Sequence, residues 1–443
     1  MEQKKRMLLL YPGVFYSSDW GRPIDIKPHM LYVYTFLKKT FNPYVIDLEN
    51  EFSRPRNNTE LKVFKKLALK RILSVPADYV GISCWSSLNY LSTKYFAEKI
   101  KEKNPDVKII VGGYHPTFLP EDFEYKNTPF DYVVRGEIHN ISRALNMKGG
   151  PKEFGRIKPD FLGYPYFNNQ KSIGVFLSTG CSFHCRYCME YRKKWSAYAP
   201  EDAVNLIADL ARKLAPDYIK IYDACFGINK KWRKEFLSGL LQKKVDCNFW
   251  AETRPELVDF EDLELMSKLK FKLDFGIDSF SKTMLGIMDK TPNPQFYLKK
   301  FILLSRKCSE LKMLHDAYLI FNHPGESKET YTEFREFFEK EIVKKVKGGY
   351  LQVRYQNFFL LPGSYVYNHI NYFVTKYGTT AFSPHWWKEE HNHRELASAV
   401  LPSRDKKWNF FLAPGQEIEK LINNFNKASL GYELWLKLFN SNS

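Results

Sequence analysis

Cysteine is scarce in this chain, with 7 among 443 residues. So thin a supply, with no secretion-type leader, argues against a disulfide framework. Long apolar runs are also missing. The stretch Met1–Leu10 holds only a short one before Tyr11-Pro12-Gly13, too short for a signal-peptide core or a membrane span. A cytoplasmic, reducing setting is therefore expected. Low-complexity segments are absent, and the 44% hydrophobic content suits a globular protein of about two to three domains. No G-x-G-x-x-G occurs, which disfavours an ordinary dinucleotide site. Acidic residues are outnumbered 50 to 67, leaving a net charge of +17. Such a balance attracts anionic partners. The lysines, however, sit in helix-like stretches such as Phe64-Lys65-Lys66-Leu67-Ala68-Leu69-Lys70-Arg71, where solvated faces account for them. No recognition motif accompanies the charge, so nucleic acid is not expected as a partner.

Three of the seven cysteines stand together. Gly180-Cys181-Ser182-Phe183-His184-Cys185-Arg186-Tyr187-Cys188 has the spacing C-x3-C-x2-C. Three thiolates on one loop can hold three irons of a cubane cluster, leaving the fourth iron open to bind and polarise a substrate. An electron carrier would normally close all four positions, so the pattern is an enzyme's. Zinc needs a fourth ligand, and His184 lies inside the loop, badly placed to close a tetrahedron. No second C-x2-C pair follows at zinc-ribbon distance. The cluster reading is favoured over zinc and over structural thiols, and Cys84, Cys225, Cys247 and Cys308 read as buried small apolar residues.

Residues 1 to about 145 alternate short apolar runs with amphipathic segments, as in a parallel α/β domain. Strands are expected at Met7–Tyr11, Tyr44–Asp47, Tyr79–Cys84, Lys108–Gly112 and Tyr132–Arg135. Each ends in residues suited to a ligand's polar edge: Tyr11-Pro12-Gly13, Asp47, Ser83-Cys84-Trp85-Ser86-Ser87, Gly112-Gly113-Tyr114-His115 and Arg135-Gly136-Glu137. In open parallel sheets ligands bind beyond the carboxyl ends of the strands. Residues 146–171, rich in Gly, Pro, Lys and Asn, read as a linker. A second α/β series starts at Ser172, with strands expected at Ile173–Ser178, Tyr218–Tyr222, Asn248–Glu252, Lys272–Gly276, Ala317–Phe321 and Leu351–Asn357. Six strands with intervening helices predict a partial (β/α)6 TIM-type barrel over 172–365, with chemistry at its carboxyl ends.

On these motifs the chain resembles the radical S-adenosylmethionine enzymes that carry an N-terminal cobalamin-binding domain. The first domain matches through Val80-Gly81-Ile82-Ser83, Val111-Gly112-Gly113-Tyr114-His115-Pro116-Thr117 and Val134-Arg135-Gly136-Glu137. The resemblance implies a Rossmann-like fold and a cobalamin whose nucleotide tail meets Ser83, Ser86, Gly112, Gly113 and Gly136. Some cobalamin proteins carry D-x-H-x-x-G after the first strand. Here Ser18-Asp19-Trp20-Gly21 stands in that place, without a histidine in register, which implies cobalt lacking that ligand. The second domain matches through the cysteine loop and, more softly, through Ile221-Tyr222-Asp223, Glu252-Thr253-Arg254, Gly276-Ile277-Asp278-Ser279, Pro324-Gly325-Glu326-Ser327 and Leu361-Pro362-Gly363-Ser364. It implies a 4Fe–4S cluster on Cys181, Cys185 and Cys188, with S-adenosylmethionine at the open iron. Tyr187 would lie against adenine, Asp223 would accept from the ammonium group, Arg254 would pair with the carboxylate, and Asp278 and Ser279 would meet the ribose.

Residues 366–443 match no pattern beyond a small, mostly helical segment covering the substrate. Phe382-Ser383-Pro384-His385-Trp386-Trp387-Lys388-Glu389-Glu390-His391-Asn392-His393 reads as an aromatic plug over the barrel mouth, rather than a metal site on His391 and His393. Gln416–Phe439 reads as two short helices split at Gly431. The expected activity is a cobalamin-dependent methyltransferase that cleaves S-adenosylmethionine and acts on an unactivated carbon. Its expected partners are a small-molecule or peptide substrate and an electron donor such as flavodoxin or ferredoxin. A radical cyclase or rearrangement enzyme is the alternative, and an RNA-binding metalloprotein a remote one. A methylthiotransferase would need three more cysteines in its N-terminal domain, where only Cys84 precedes Cys181.

Overall fold

A computed structural model describes residues 4–16, 27–147, 154–166, 171–190, 193–346 and 349–427. The motif Ser18–Gly21 and the second of the two C-terminal helices lie outside these residues. The chain forms two compact units, 1–170 with 383–397, and 171–382 with 398–443.

The first unit is built on five parallel strands: β1 (Arg6–Tyr11), β2 (Asn42–Asp47), β3 (Tyr79–Ser83), β4 (Lys108–Gly112) and β5 (Tyr132–Val134). Their order is β2-β1-β3-β4-β5. Helices cover both faces, so the interior strand β1 carries Leu8, Leu9 and Leu10 in an unbroken apolar run, each no more than 2% exposed. Strand order reverses between β1 and β3, which is where an open sheet of this kind leaves a crevice.

Some polar strand ends serve the fold. Asp47 closes β2 by accepting the backbone N–H groups of Glu49 (3.0 Å) and Asn50 (3.1 Å), capping the helix Leu48–Phe52. His115 is 1% exposed; its Nδ1 lies 2.7 Å from the Ser87 hydroxyl and its Nε2 3.2 Å from Asp122. The same Asp122 carboxylate accepts the Trp387 indole N–H at 2.7 Å and pairs with Lys388 at 2.5 Å. Trp386 and Trp387, both 1% exposed, thus bury in this unit. His393 is buried with Nε2 on the Glu389 carbonyl, and His391 is exposed beside Glu395. Residues 154–166 pack on the same unit through Phe154 stacked on Tyr32 and Tyr164 set edgewise on Tyr34.

The second unit holds β6 (Ser172–Val175), β7 (Ser178–Thr179), β8 (Ser196–Ala197), β9 (Tyr218–Ile221), β10 (Asn248–Thr253), β11 (Phe271–Asp278), β12 (His315–Phe321) and β13 (Leu351–Asn357). Six of them form one parallel sheet in the order β13-β12-β11-β10-β9-β6, the expected partial barrel. Alternation decides its two faces. Phe249, Ala251, Leu273, Phe275, Ala317 and Leu319 are all fully buried under the helices. The alternate residues, Trp250, Glu252, Lys272, Asp274, Asp316, Tyr318 and Arg354 among them, make a polar inner face. At the edge, the helix Ala413–Lys427 shields β13: Asn426 accepts the Val353 N–H (2.9 Å) and donates to its carbonyl (2.8 Å). Among the described residues no helix is long and apolar enough to cross a membrane.

Candidate functional site

In the second unit the cysteine loop follows β6 and is clamped at both ends. Before it, the buried Asp223 carboxylate, just beyond β9, accepts the N–H groups of Leu177 (2.7 Å) and Ser178 (2.9 Å) and the Ser178 hydroxyl (2.6 Å). Burial pushes Asp223 up to about 6, against the pull of these donors. Gly180 has φ +76°, and a Cβ there would stand 2.2 Å from the Lys194 carbonyl oxygen, so glycine is required. β8, after the loop, pairs antiparallel with β7, just before it.

Within the loop, Cys185 is 8% exposed, and Cys181 and Cys188 are half-buried. Arg254, at the end of β10, donates to the Cys185 sulfur at 3.3 Å and stacks on Phe183 at 3.8 Å. Its remaining N–H groups go to Glu256 and to the Lys290 carbonyl. Tyr187 donates its hydroxyl to Asp278 at 2.5 Å, and Lys290 pairs with the same carboxylate at 2.5 Å. Asp278 has φ +65° and sits where the β11–β12 register shifts. Ser279 accepts the N–H of Ser281 at 3.1 Å, and Ser281 in turn caps the helix Lys282–Ile287. The structure thus brings Cys181, Cys185, Cys188, Tyr187, Arg254 and Asp278 into one constellation. Asp223 and Ser279 stand at its edge, engaged in holding backbone.

The first unit has a cavity of about 110 Å³ at the carboxyl end of its sheet. Leu9, Met30, Val33, Ile82, Ile110 and Val134 contribute to its apolar wall, and Ser83, Gly112 and Gly113 to its rim. Gly113 has φ +125°, and a Cβ would lie 2.2 Å from the Cys84 carbonyl oxygen, so the Gly-Gly turn admits no side chain there. His29 also lines the cavity, stacked on Trp85 at 4.0 Å with its Nε2 3.1 Å from the Ser83 hydroxyl. Burial and the Lys27 charge hold this imidazole well below its usual pKa, hence neutral. Ser86 and Gly136 lie outside the wall; Ser86 faces Asn89, and the Gly136 N–H is held by Thr117.

Comparison with known proteins agrees with this division. The B12 binding domain family matches residues 45–146, and the Radical SAM superfamily matches residues 175–338. The chain belongs to the radical S-adenosylmethionine enzymes that carry a cobalamin-binding domain. It is 26% identical to an uncharacterized methyltransferase of Pyrococcus horikoshii over 51% of this chain, a match spanning only 57% of that relative's length. It is 21% identical to the anaerobic magnesium-protoporphyrin IX monomethyl ester cyclase of Synechocystis, over 77% of this chain and 71% of the cyclase. Among solved structures, the radical S-adenosylmethionine methyltransferase TsrM of Kitasatospora setae, with cobalamin and a 4Fe–4S cluster bound, aligns with a TM-score of 0.62. That alignment covers 85% of this chain and 77% of TsrM at 16% identity, a likeness of fold.

The cofactors of this family are a 4Fe–4S cluster, S-adenosylmethionine and cobalamin, and the residues present fit them. No trio of His, Cys, Asp or Glu among the described residues converges on a single ion. A cubane does not ask for that, since each cysteine takes its own iron. The thiols are close enough to repel one another as thiolates, and Cys188 is pushed up to about 12 by burial and by Cys185. Three thiolates are stable there with a cationic group between them. The apolar cavity, for its part, takes a flat apolar ring system. Sequence reading missed His29 and Lys290, which carry no motif: His29 lies in the helix Pro28–Leu37 and Lys290 just after the helix Lys282–Ile287. Trp85 and Phe183 stand inside motifs the sequence showed, a strand end and the cysteine loop, but were given no role of their own.

Proposed function

We propose that this enzyme is a cobalamin-dependent methyltransferase acting on an unactivated carbon. The observation that carries the reading is the pairing, in one chain, of a B12 binding domain that has a formed apolar cavity with a radical S-adenosylmethionine domain. Bound together, these cofactors supply reductive cleavage of S-adenosylmethionine and a transferable methyl group.

The chain's own residues then have separable roles. Cys181, Cys185 and Cys188 hold the cluster, and the Arg254 guanidinium donates to the Cys185 sulfur, offsetting part of the thiolate charge. Tyr187, fixed by its bond to Asp278, presents its ring toward adenine. Asp278 and Ser279 face the ribose. Arg254 adjusts one N–H toward the S-adenosylmethionine carboxylate, while Asp223 acts chiefly by holding the loop's entry. On the first unit Ser83, Gly112 and Gly113 take the cobalamin tail, with Ser86 and Gly136 on the flanking loops. An electron donor of the flavodoxin or ferredoxin kind reduces the cluster.

The test is anaerobic reconstitution with cobalamin, a reductant and methyl-labelled S-adenosylmethionine, followed by mass spectrometry of host extracts. A labelled methyl in a product bears the reading out. Cleavage of S-adenosylmethionine with an unlabelled, ring-closed product would favour a cyclase, the second reading, which the similarity to the magnesium-protoporphyrin cyclase supports.

A further inference from the structure

The cysteine loop and its neighbours occupy the carboxyl edge of the barrel sheet. The opposite edge, where the strands begin, takes no part in that site and is lined differently. The links entering the strands carry exposed lysines: Lys171 before β6, Lys243 and Lys244 before β10, Lys270 before β11, Lys312 before β12 and Lys344 before β13. Because the sheet is parallel, these links share one rim. Backbone bonds join neighbouring links directly. The Tyr218 N–H donates to the Lys171 carbonyl (3.0 Å), Phe249 to that of Lys270 (3.2 Å) and His315 to that of Tyr350 (3.0 Å). The carboxylates on the rim are Asp217, Asp246 and Glu310, and Asp246 is taken by Lys270 at 2.6 Å. The other five lysines form no ion pair with any described residue.

Helix dipoles explain part of this, since a cation is favoured at a helix C-terminus. A lysine in the last turn would serve that purpose at ordinary φ, as Lys268 does. Lys244, Lys270 and Lys312 instead follow their helices at φ +52°, +57° and +55°. That left-handed position is the one where glycine or asparagine fits best. Lys171 follows no described helix at all. Three strained lysines on adjacent links are therefore more than the dipoles ask for.

We propose that this rim docks the enzyme on the surface of an anionic phospholipid bilayer. Charge complementarity is the first support: lysines spread along one edge suit a field of separate headgroup charges. These links hold no arginine, the planar fork that phosphate-by-phosphate recognition of a nucleic acid favours. The second support is apolar. Val343, beside Lys344, is 45% exposed. The helix Ala413–Lys427 runs antiparallel to β13, with Glu419 bonded to Tyr355 and Asn426 to Val353, so Lys427 arrives at the same edge. The sequence then continues as Leu430-Gly431-Tyr432-Glu433-Leu434-Trp435-Leu436-Lys437-Leu438-Phe439, rich in the leucine and aromatic residues that enter a bilayer interface. Stable attachment of a peripheral protein takes two signals, and a cationic surface beside an apolar segment supplies both.

The proposal does not depend on which reaction the enzyme performs, and co-sedimentation of the full chain with vesicles tests it without turnover. Vesicles of phosphatidylcholine mixed with phosphatidylglycerol should carry the protein down, and vesicles of phosphatidylcholine alone should carry at least about tenfold less. Raising salt from about 0.1 to about 1 M should release most of it. The triple variant Lys244→Asn, Lys270→Asn, Lys312→Asn places a neutral residue that tolerates the left-handed backbone, so the fold is kept while three charges are lost. It should bind the anionic vesicles at least about tenfold more weakly. A chain ending at Lys427 should also bind more weakly, with its salt dependence retained. Both proteins should take up iron as the wild type does, which separates loss of docking from loss of folding. The proposal is overturned if the two kinds of vesicle bind equally, if the triple variant binds like the wild type, or if removing residues 428–443 changes nothing. Tighter binding to single-stranded RNA than to the anionic vesicles would assign the rim to nucleic acid and would equally overturn it.

Discussion

The two units solve the same architectural problem, a parallel sheet with its working edge at the carboxyl ends, and line that edge in opposite ways. The β1–β5 unit surrounds its cavity with leucine, isoleucine, valine and methionine, leaving one neutral polar pair, His29 and Ser83. The barrel's inner face carries Lys272, Asp274, Asp316, Arg354 and Glu252. An apolar wall discriminates by shape and is nearly indifferent to pH. A charged wall discriminates by charge and hydrogen bonding, at the cost of desolvating every group it holds. The first suits a large cofactor that stays, the second a substrate that must be oriented and released.

Removing the cluster ligands should break the comparison most completely. Cys181→Ala, Cys185→Ala or Cys188→Ala should each abolish cluster assembly and S-adenosylmethionine cleavage, read as bound iron and as 5′-deoxyadenosine formed. Cobalamin uptake, which belongs to the other wall, should persist in all three. Loss of both together would mean that the two sites are not independent.

A smaller effect, on stability, should follow from Lys272→Met. The variant strips one cation from the buried Asp274–Asp316 pair and leaves carboxylate charge uncompensated, at a cost of about 3–5 kcal/mol. Denaturant titration of the barrel's tryptophans checks it, and an unchanged midpoint would show that the network is neutral to folding. In the other unit Gly113→Ala forces a Cβ onto the Cys84 carbonyl at φ +125°, a strain of about 1–3 kcal/mol. Its expected readout is weakened cobalamin binding with the iron content unaltered.

Much of this contrast was legible in the sequence, because apolar periodicity reports strands directly. The strand expected at Lys108–Gly112 is the one observed, and Tyr79–Cys84 differs by one residue. Side-chain partners were less legible. Asp47, at a strand end suited to a ligand, turns inward to cap a helix, and Asp223 spends its oxygens on Leu177 and Ser178. Both outcomes depend on which backbone N–H groups the fold brings near, and spacing along the chain does not carry that. The 382–393 stretch shows the same limit. Its tryptophans read as a plug, but the partner of Trp387 is Asp122, 265 positions away.

That distant contact yields the finest prediction, since it ties 383–397 into the apolar-walled unit by one of its few buried charges. Burial raises Asp122, but the hydrogen bonds from His115, Lys388 and Trp387 outweigh it and bring the carboxyl down to about 2. A folded-state value below the unfolded one, about 3.9, stabilises at pH values above the unfolded value. The contribution, about 2 kcal/mol, is lost as pH falls from about 4 through 2. Asp122→Asn removes the charge at every pH while keeping an acceptor for Trp387. At neutral pH the variant should therefore show faster amide hydrogen exchange in 383–397, with β6–β13 unaffected, and the difference from wild type should shrink on acidification. Equal exchange in the two proteins at neutral pH would show that the indole contact, and not the carboxylate charge, anchors the segment.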